Sequence, residues 1–367
     1  MWTRGQGRSP LHALLEFAAH GREDLSLTAF EERHVRWAIE TGLGPLLFRA
    51  TRAHPQTPAS PFWPLLHSAH LTGQVLTAEL LDAMAEIIDA CAGQTAEIVL
   101  LKGISICEQY YPEPHLRPMR DIDFLVEEAD LPGVEAVLGK LGYHQQSSRP
   151  AGSYATHHHS MPFYHPQRGV WVEVHRGLVP QREKGRAGRI FRLDTVKSQL
   201  RPSVFRGRVV TRLSDELQIP YIASHWAREF KTVGGMVALL DIMYLLKNTG
   251  GVLDWGRILD WMRDSTAAAH LYLLLAYLDF HQLIDVAPEI LSALSRAQRS
   301  LGTVNYKILR ALIDRYLVSG NTFGRVCSLR NLDILWRTLL LPGAPSRNLL
   351  LVPLFLCFPW HLRARFL

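Results

Sequence analysis

At 367 residues and 47% apolar side chains, the chain is long enough for two or three domains and apolar enough to bury a large core, which excludes wholesale disorder. Lys and Arg number 40 against 34 Asp and Glu, and the resulting charge of +6 is too small by itself to indicate a nucleic-acid binder. Cys91, Cys107, Cys327 and Cys357 form no CxxC pair, which argues against a structural zinc site or a disulfide framework and fits a reducing cytoplasm.

Residues 1–95 read as a helical region. "LHALLEFAAH", "FEERHVRWAIETGLGPLLFRATRA" and "LTGQVLTAELLDAMAEIIDACAG" space their apolar residues by three and four. The first of these holds His12 and Glu16, so it makes a poor signal-peptide core despite Arg4 and Arg8. Prolines break "HPQTPASPFWP" into a loop, and Gly93 is a helix stop.

The texture changes at "AEIVLLKG", a short apolar run suited to a buried strand. "ISICEQYY" reads as a short helix, "DIDFLV" as a second strand, and "DLPGVEAVLGKLGY" as a helix capped by Asp130 and stopped by Gly142. "SYATHHHSMPFYHPQRGVWVEVHRGL" reads as two strands around the turn "HPQRG". Residues 96–180 thus alternate strand and helix around one small sheet.

Between Arg176 and Arg212 lie eleven Lys/Arg and only two acids, Glu183 and Asp194, a local charge of +9. A solvated connection accounts for this; the sharper alternative is a rim that attracts a polyanion such as a nucleotide, an RNA or an acidic peptide. Helices return over 213–340, with Ser214 capping the entry. The tail 341–367 carries the apolar run "LLLVPLFLCFPW" at 349–360 and a basic end. Twelve residues with two prolines fall short of the roughly 18–20 that a spanning helix needs, so the tail is expected to dock on the protein, a partner or a membrane face.

The chemistry is in the carboxylates. Residues i and i+2 of a strand share a face about 6.5–7 Å apart, which puts Asp121 and Asp123 together and Ile122 and Phe124 on the other side. Two carboxylates that close repel unless a cation lies between them, and Mg²⁺ prefers such oxygen ligands. In "VWVEVH", Val170, Val172 and Val174 line one side while Trp171, Glu173 and His175 line the other. If the two strands are neighbours, three acids converge and can hold two cations for an in-line phosphoryl or nucleotidyl transfer. Alternatively, Asp121 and Asp123 form a capping or salt-bridged pair with Arg117 and Arg120.

A strand ending in glycine, then D-h-D at a strand start and a later h-[DE]-h, resembles the polymerase-beta-like nucleotidyltransferase superfamily. More narrowly, "LLKG", "YYPEPHLRPMRDIDFLV", "LGY", the His-rich strand and "VWVEVH" resemble the bacterial family called uncharacterised nucleotidyltransferases, over roughly residues 90–285. The resemblance implies metal binding and catalysis at Asp121, Asp123 and Glu173, with two Mg²⁺ (or Mn²⁺) and a nucleoside triphosphate, ATP included, as substrate. It also puts Lys102 and Gly103 where the superfamily usually has Gly-Ser, and no Ser follows Gly103 here. Lys102 can supply charge instead, and Gly103 lets backbone N–H groups approach phosphates at a helix start. Arg117 and Arg120 are candidates either for the triphosphate or for holding the aspartates still.

In His157, His158 and His159, strand alternation is expected to send neighbours to opposite faces, so that all three cannot serve one ion. His175, on the face of Glu173, is the accessory candidate. The expected fold is α/β (α+β), a small mixed-sheet nucleotidyltransferase core (96–212) between helical regions 1–95 and 213–340. The expected reaction moves a nucleoside monophosphate from NTP to a small molecule, peptide, protein or RNA acceptor and releases pyrophosphate. The alternatives are a non-catalytic nucleotide-binding module and an RNA-directed enzyme.

Overall fold

The structure, a computed structural model, describes residues 10–297 apart from 22–24, 94–96, 148–150, 156, 180–188, 229–233, 250–251 and 264–265. The C-terminal tail, with its apolar run, lies outside the described residues, as does the end of the 213–340 region.

The N-terminal helices are α1 (Pro10–His20), α2 (Glu32–Glu40), α3 (Gly44–Thr51) and α4 (Trp63–Ala90). Two boundaries differ from the sequence reading. Gly42, at φ 82°, breaks one periodic stretch into α2 and α3, because the left-handed backbone it adopts cannot continue a helix. Pro64 opens α4 rather than ending a loop; proline fits the first helical turn, where its missing N–H has no partner to lose.

The sheet then assembles from β1 (Val99–Leu100), α5 (Lys102–Tyr110), β2 (Asp121–Leu125), α6 (Leu131–Lys140), β3 (His144–Gln145), β4 (Phe163–His165), β5 (Val170–His175), α7 (Leu193–Ser198), β6 (Leu200–Phe205) and β7 (Arg208–Leu213). The strand order is β3-β4-β5-β2-β1-β7-β6. β2 pairs with β5 in parallel and with β1 antiparallel, giving a mixed sheet. The remaining helices are α8 (Asp215–Arg228), α9 (Gly234–Thr249), α10 (Trp255–Met262), α11 (Thr266–Phe280) and α12 (Pro288–Ala297). Ser214 caps α8 as expected, its hydroxyl accepting from the Leu217 N–H at 3.2 Å.

The β6–β7 hairpin was not foreseen; the sequence reading took it as part of a basic connection. Its two-residue turn is Arg206-Gly207, both left-handed (φ 47° and 79°), the conformation that matches strand twist. Among the described residues, much of the charge of this segment is paired within the molecule. Arg176, Lys197, Arg201, Arg206, Arg208 and Arg212 are ion-paired with Glu128, Glu127, Glu216, Asp82, Asp89 and Glu108 respectively.

Two cores hold the molecule. In one, Ile122 and Phe124 of β2 and Val172 and Val174 of β5 pack with Leu80, Met84 and Ile87 of α4 and with Val134 and Leu138 of α6. The other joins Leu14, Leu15, Val35, Leu46 and Leu47 from the N-terminal helices to Leu217, Leu239, Leu240, Leu271 and Leu274 from the C-terminal ones. The helical regions on either side of the sheet in sequence therefore share one apolar core. Burying the even-numbered side chains of β2 and β5 on one face sends the odd-numbered ones, including the acids, to the other. Among the described residues no helix is long and apolar enough to cross a membrane.

Candidate active site

The parallel register of β2 and β5 sets Asp123 beside Glu173 and Asp121 beside Trp171. Ligand atoms of Asp123, Glu173 and His175 lie within 4.8 Å of one another. Asp121 is one step along the same face and lines the cavity described below.

Lys102 sits between the acids. Its Nζ donates to Asp123 Oδ1 at 2.7 Å and lies 3.9 Å from Glu173 Oε2. His175 Nε2 is 2.8 Å from the same Asp123 oxygen and 3.7 Å from Glu173 Oε2. Burial works to raise the Asp123 pKa, but the Lys102 ammonium and the His175 N–H outweigh it and hold the carboxyl well below the ordinary carboxylate range. For Lys102, burial pulls the other way and the Asp123 charge wins, so the ammonium stays protonated far above its usual value. Burial would lower His175, yet its bonds to Asp123 and Glu173 raise it; burial would raise Glu173, and the His175 bond lowers it. The cluster is thus a set of mutually compensating charges, buried at Asp123 and His175 and partly exposed at Lys102 and Glu173.

Lys102 is also left-handed, at φ 46°, a conformation that costs a non-glycine residue about 1–2 kcal/mol. Leu101 immediately before it is tied to Asp123 by a backbone hydrogen bond of 3.0 Å, so the chain must turn sharply at Lys102 to enter α5. Gly103 follows for a packing reason. A Cβ there would meet Arg117 Nη1 at 2.7 Å and Met119 Cγ at 2.9 Å. Ser105 is buried inside α5 and is not among the cavity-lining residues.

The two arginines before β2 part company. Arg117 is buried and clamps Asp241 of α9 through two bonds, Nε to Oδ1 at 2.9 Å and Nη2 to Oδ2 at 2.8 Å. Tyr111 donates a third, at 2.7 Å, to the same carboxylate. Arg120 is exposed at the cavity wall and makes no ion pair among the described residues.

The cavity encloses about 350 Å³. Lys102, Gly103, Arg117, Arg120, Asp121 and Asp123 form one wall; Gln218, Tyr221, Ile222 and His225 of α8, with Val237, Ala238 and Asp241 of α9, form the other. Glu173 is not among the lining residues and stands one strand beyond Asp123, 23% exposed. The α8 residues recur at intervals of three, four and seven, one stripe of a helix, a signal that was present in the sequence but points equally to packing. The Gln218 amide is buried with no hydrogen-bond partner for its nitrogen or oxygen among the described residues. A second cavity of about 380 Å³ shares Thr41 and the 117–120 segment with the first.

The histidine run differs from its expected geometry. His157 and His158 lie in a bend, and only His159 bridges to His175, so strand alternation does not apply. One nitrogen from each of the three lies within 4.8 Å of the others, close enough to hold a metal ion. Burial pushes His158 and His159 down, which keeps their rings neutral; His159 Nε2 is 3.7 Å from Glu173.

The structure thus brings together a D-x-D on one strand, a third acid on its parallel neighbour and a strand–turn–helix entry at Lys102-Gly103. No curated protein and no solved structure matches the chain. A family model described as "Uncharacterised nucleotidyltransferase" matches residues 30–280. On this match, which spans the sheet, α8, α9 and the cavity between them, the chain belongs to that nucleotidyltransferase family.

Proposed function

We propose that the protein is a metal-dependent nucleotidyltransferase that moves a nucleoside monophosphate from a nucleoside triphosphate to an acceptor and releases pyrophosphate. The observation that carries this is the Asp123–Glu173 register, which sets acids from two strands side by side with Asp121 on the same face. The hard oxygen donors of the three carboxylates suit Mg²⁺ or Mn²⁺, and the lysine ammonium seated against two of them marks a place that demands positive charge. Asp121, Asp123 and Glu173 would hold the metal, which when bound polarises the α-phosphate and steadies the attacking and leaving oxygens.

The other steps fall to the chain itself. Arg120 and Lys102 neutralise the polyphosphate in the cavity, and α5 begins at Lys102 and Gly103 on the same wall, a favourable position for an anion. Arg117 keeps the wall in place through Asp241 rather than touching phosphate. Neutral His159, whose Nε2 is 3.7 Å from Glu173, accepts the acceptor's proton.

Calorimetry with a nucleoside triphosphate and Mg²⁺ tests this. Asp123→Asn is expected to remove metal-dependent nucleotide binding while the protein stays folded; unchanged binding would overturn the assignment. One observation favours a second reading. The missing serine at the cavity fits a nucleotide-binding module without turnover. Pyrophosphate release over a panel of small-molecule, peptide and RNA acceptors separates the two.

A further inference from the structure

We propose that Lys102 is a built-in counter-cation that stands in for the metal in the nucleotide-free protein, so that a divalent ion binds more tightly together with the nucleotide's polyphosphate than alone. This rests on the proposed nucleotidyl-transfer site and adds an order of events to it.

Three observations carry it. The ammonium lies 2.7 Å from Asp123 and 3.9 Å from Glu173, between two oxygens that a metal would need. A dication bound to those oxygens and an ammonium in van der Waals contact with it repel strongly in a buried setting, so the two cannot share the position. The left-handed backbone at Lys102 is a strained arrangement that persists because the surroundings dictate it, and here it places a cation rather than a glycine at the turn.

Lys102 also has somewhere to go. It lines the cavity with Arg120 and the start of α5, so a polyphosphate there offers the ammonium a new anionic partner. Unlike Arg117, which is forked onto Asp241 by two bonds, Lys102 holds its aspartate through one hydrogen bond on a flexible stem. The side chain can therefore exchange Asp123 for phosphate without disturbing the fold. His175 keeps its bond to Asp123 meanwhile and holds the carboxylate in position as the lysine leaves.

The consequence is reciprocal coupling: nucleotide raises metal affinity, and metal raises nucleotide affinity by the same factor. The test is Mn²⁺ binding to the full chain, followed by the electron paramagnetic resonance signal of free Mn²⁺, with and without a non-hydrolysable nucleoside triphosphate. Wild type is expected to bind Mn²⁺ about tenfold more weakly without nucleotide than with it, within the usual range of coupling between two ligands. Lys102→Met keeps the stem and removes the charge; it is expected to bind Mn²⁺ without nucleotide about tenfold more tightly than wild type does, a coupling of the same order.

Lys102→Gly, which also relieves the left-handed strain, provides the same readout should the Met variant fail to fold. If neither variant gains affinity for the ion, or if wild type binds it equally well without nucleotide, the counter-cation role is overturned while the nucleotidyl-transfer reading stands. If wild type binds neither Mn²⁺ nor the nucleotide–Mn²⁺ pair, both fall.

Discussion

Two buried aspartates line the same cavity and are held in opposite ways. Asp241 accepts two bonds from the rigid fork of Arg117 and a third from Tyr111, groups that reach it from the segment between α5 and β2. Asp123 is held by a single bond from flexible Lys102 and one from His175, with another acid at its side. The first arrangement fastens α9 to the sheet. In the second, on the proposal above, the cation can be exchanged for another. One carboxylate chemistry thus serves as a bolt in one wall and as a socket in the other, and the difference lies in the stiffness of the partner and in what stands behind it.

Breaking the bolt should have the largest effect. Asp241→Ala leaves the Arg117 charge buried without its partner and is expected to cost about 3–5 kcal/mol of stability, read from urea denaturation. A loss below about 1 kcal/mol would mean that the clamp is no more than a surface-type ion pair. Next comes Gly103→Ala, which pushes a methyl group into Arg117 and Met119 at the seam between the two aspartates. Overpacking there is expected to cost about 1–3 kcal/mol. It should also weaken nucleotide binding, because the Arg117–Arg120 segment must shift.

Burial, with positive neighbours led by His115, pushes His70 down to about 4 from an ordinary value of 6.5. The unfolded chain therefore takes up a proton between these values and the native one does not. The His70 contribution is complete above pH 6.5, falls as the pH drops toward 4, and levels off below it. The loss should be of the order of 1–2 kcal/mol. His70→Phe, which keeps the stacking on Phe48, should flatten that part of the pH profile. The smallest effect sharpens the comparison from the α8 wall. Gln218→Leu removes a buried amide without partners and is expected to raise the unfolding free energy of the ligand-free protein by up to about 1 kcal/mol.

The socket was far more legible in the sequence than the bolt. Period-two alternation in "DIDFLV" and "VWVEVH" assigns faces without any tertiary information, and the apolar positions Ile122, Phe124, Val172 and Val174 are buried as that alternation requires. Whether β5 lies beside β2, and in which register, depends on long-range packing that no local pattern encodes. The bolt joins Arg117 to a residue 124 positions away, so no spacing announces it. The β6–β7 hairpin was obscured by its own charge: the alternation around "VFRGRVV" is short, and the arginines that look like a solvated run reach back to acids on α4. The histidine run misled for a related reason. Alternation was assumed where the backbone bends, and a bend gathers neighbouring side chains that a strand would separate.

The central claim is that acids from two strands act as one metal-dependent nucleotide site, and the measurement that probes it most directly targets the strand without the D-x-D. Glu173→Gln should weaken Mg²⁺-dependent nucleotide binding by about 10–100-fold, the usual cost of losing a group from a metal site, with its urea midpoint close to that of wild type. Full Mg²⁺-dependent affinity in that variant would contradict the account, because β5 would then contribute nothing to the site.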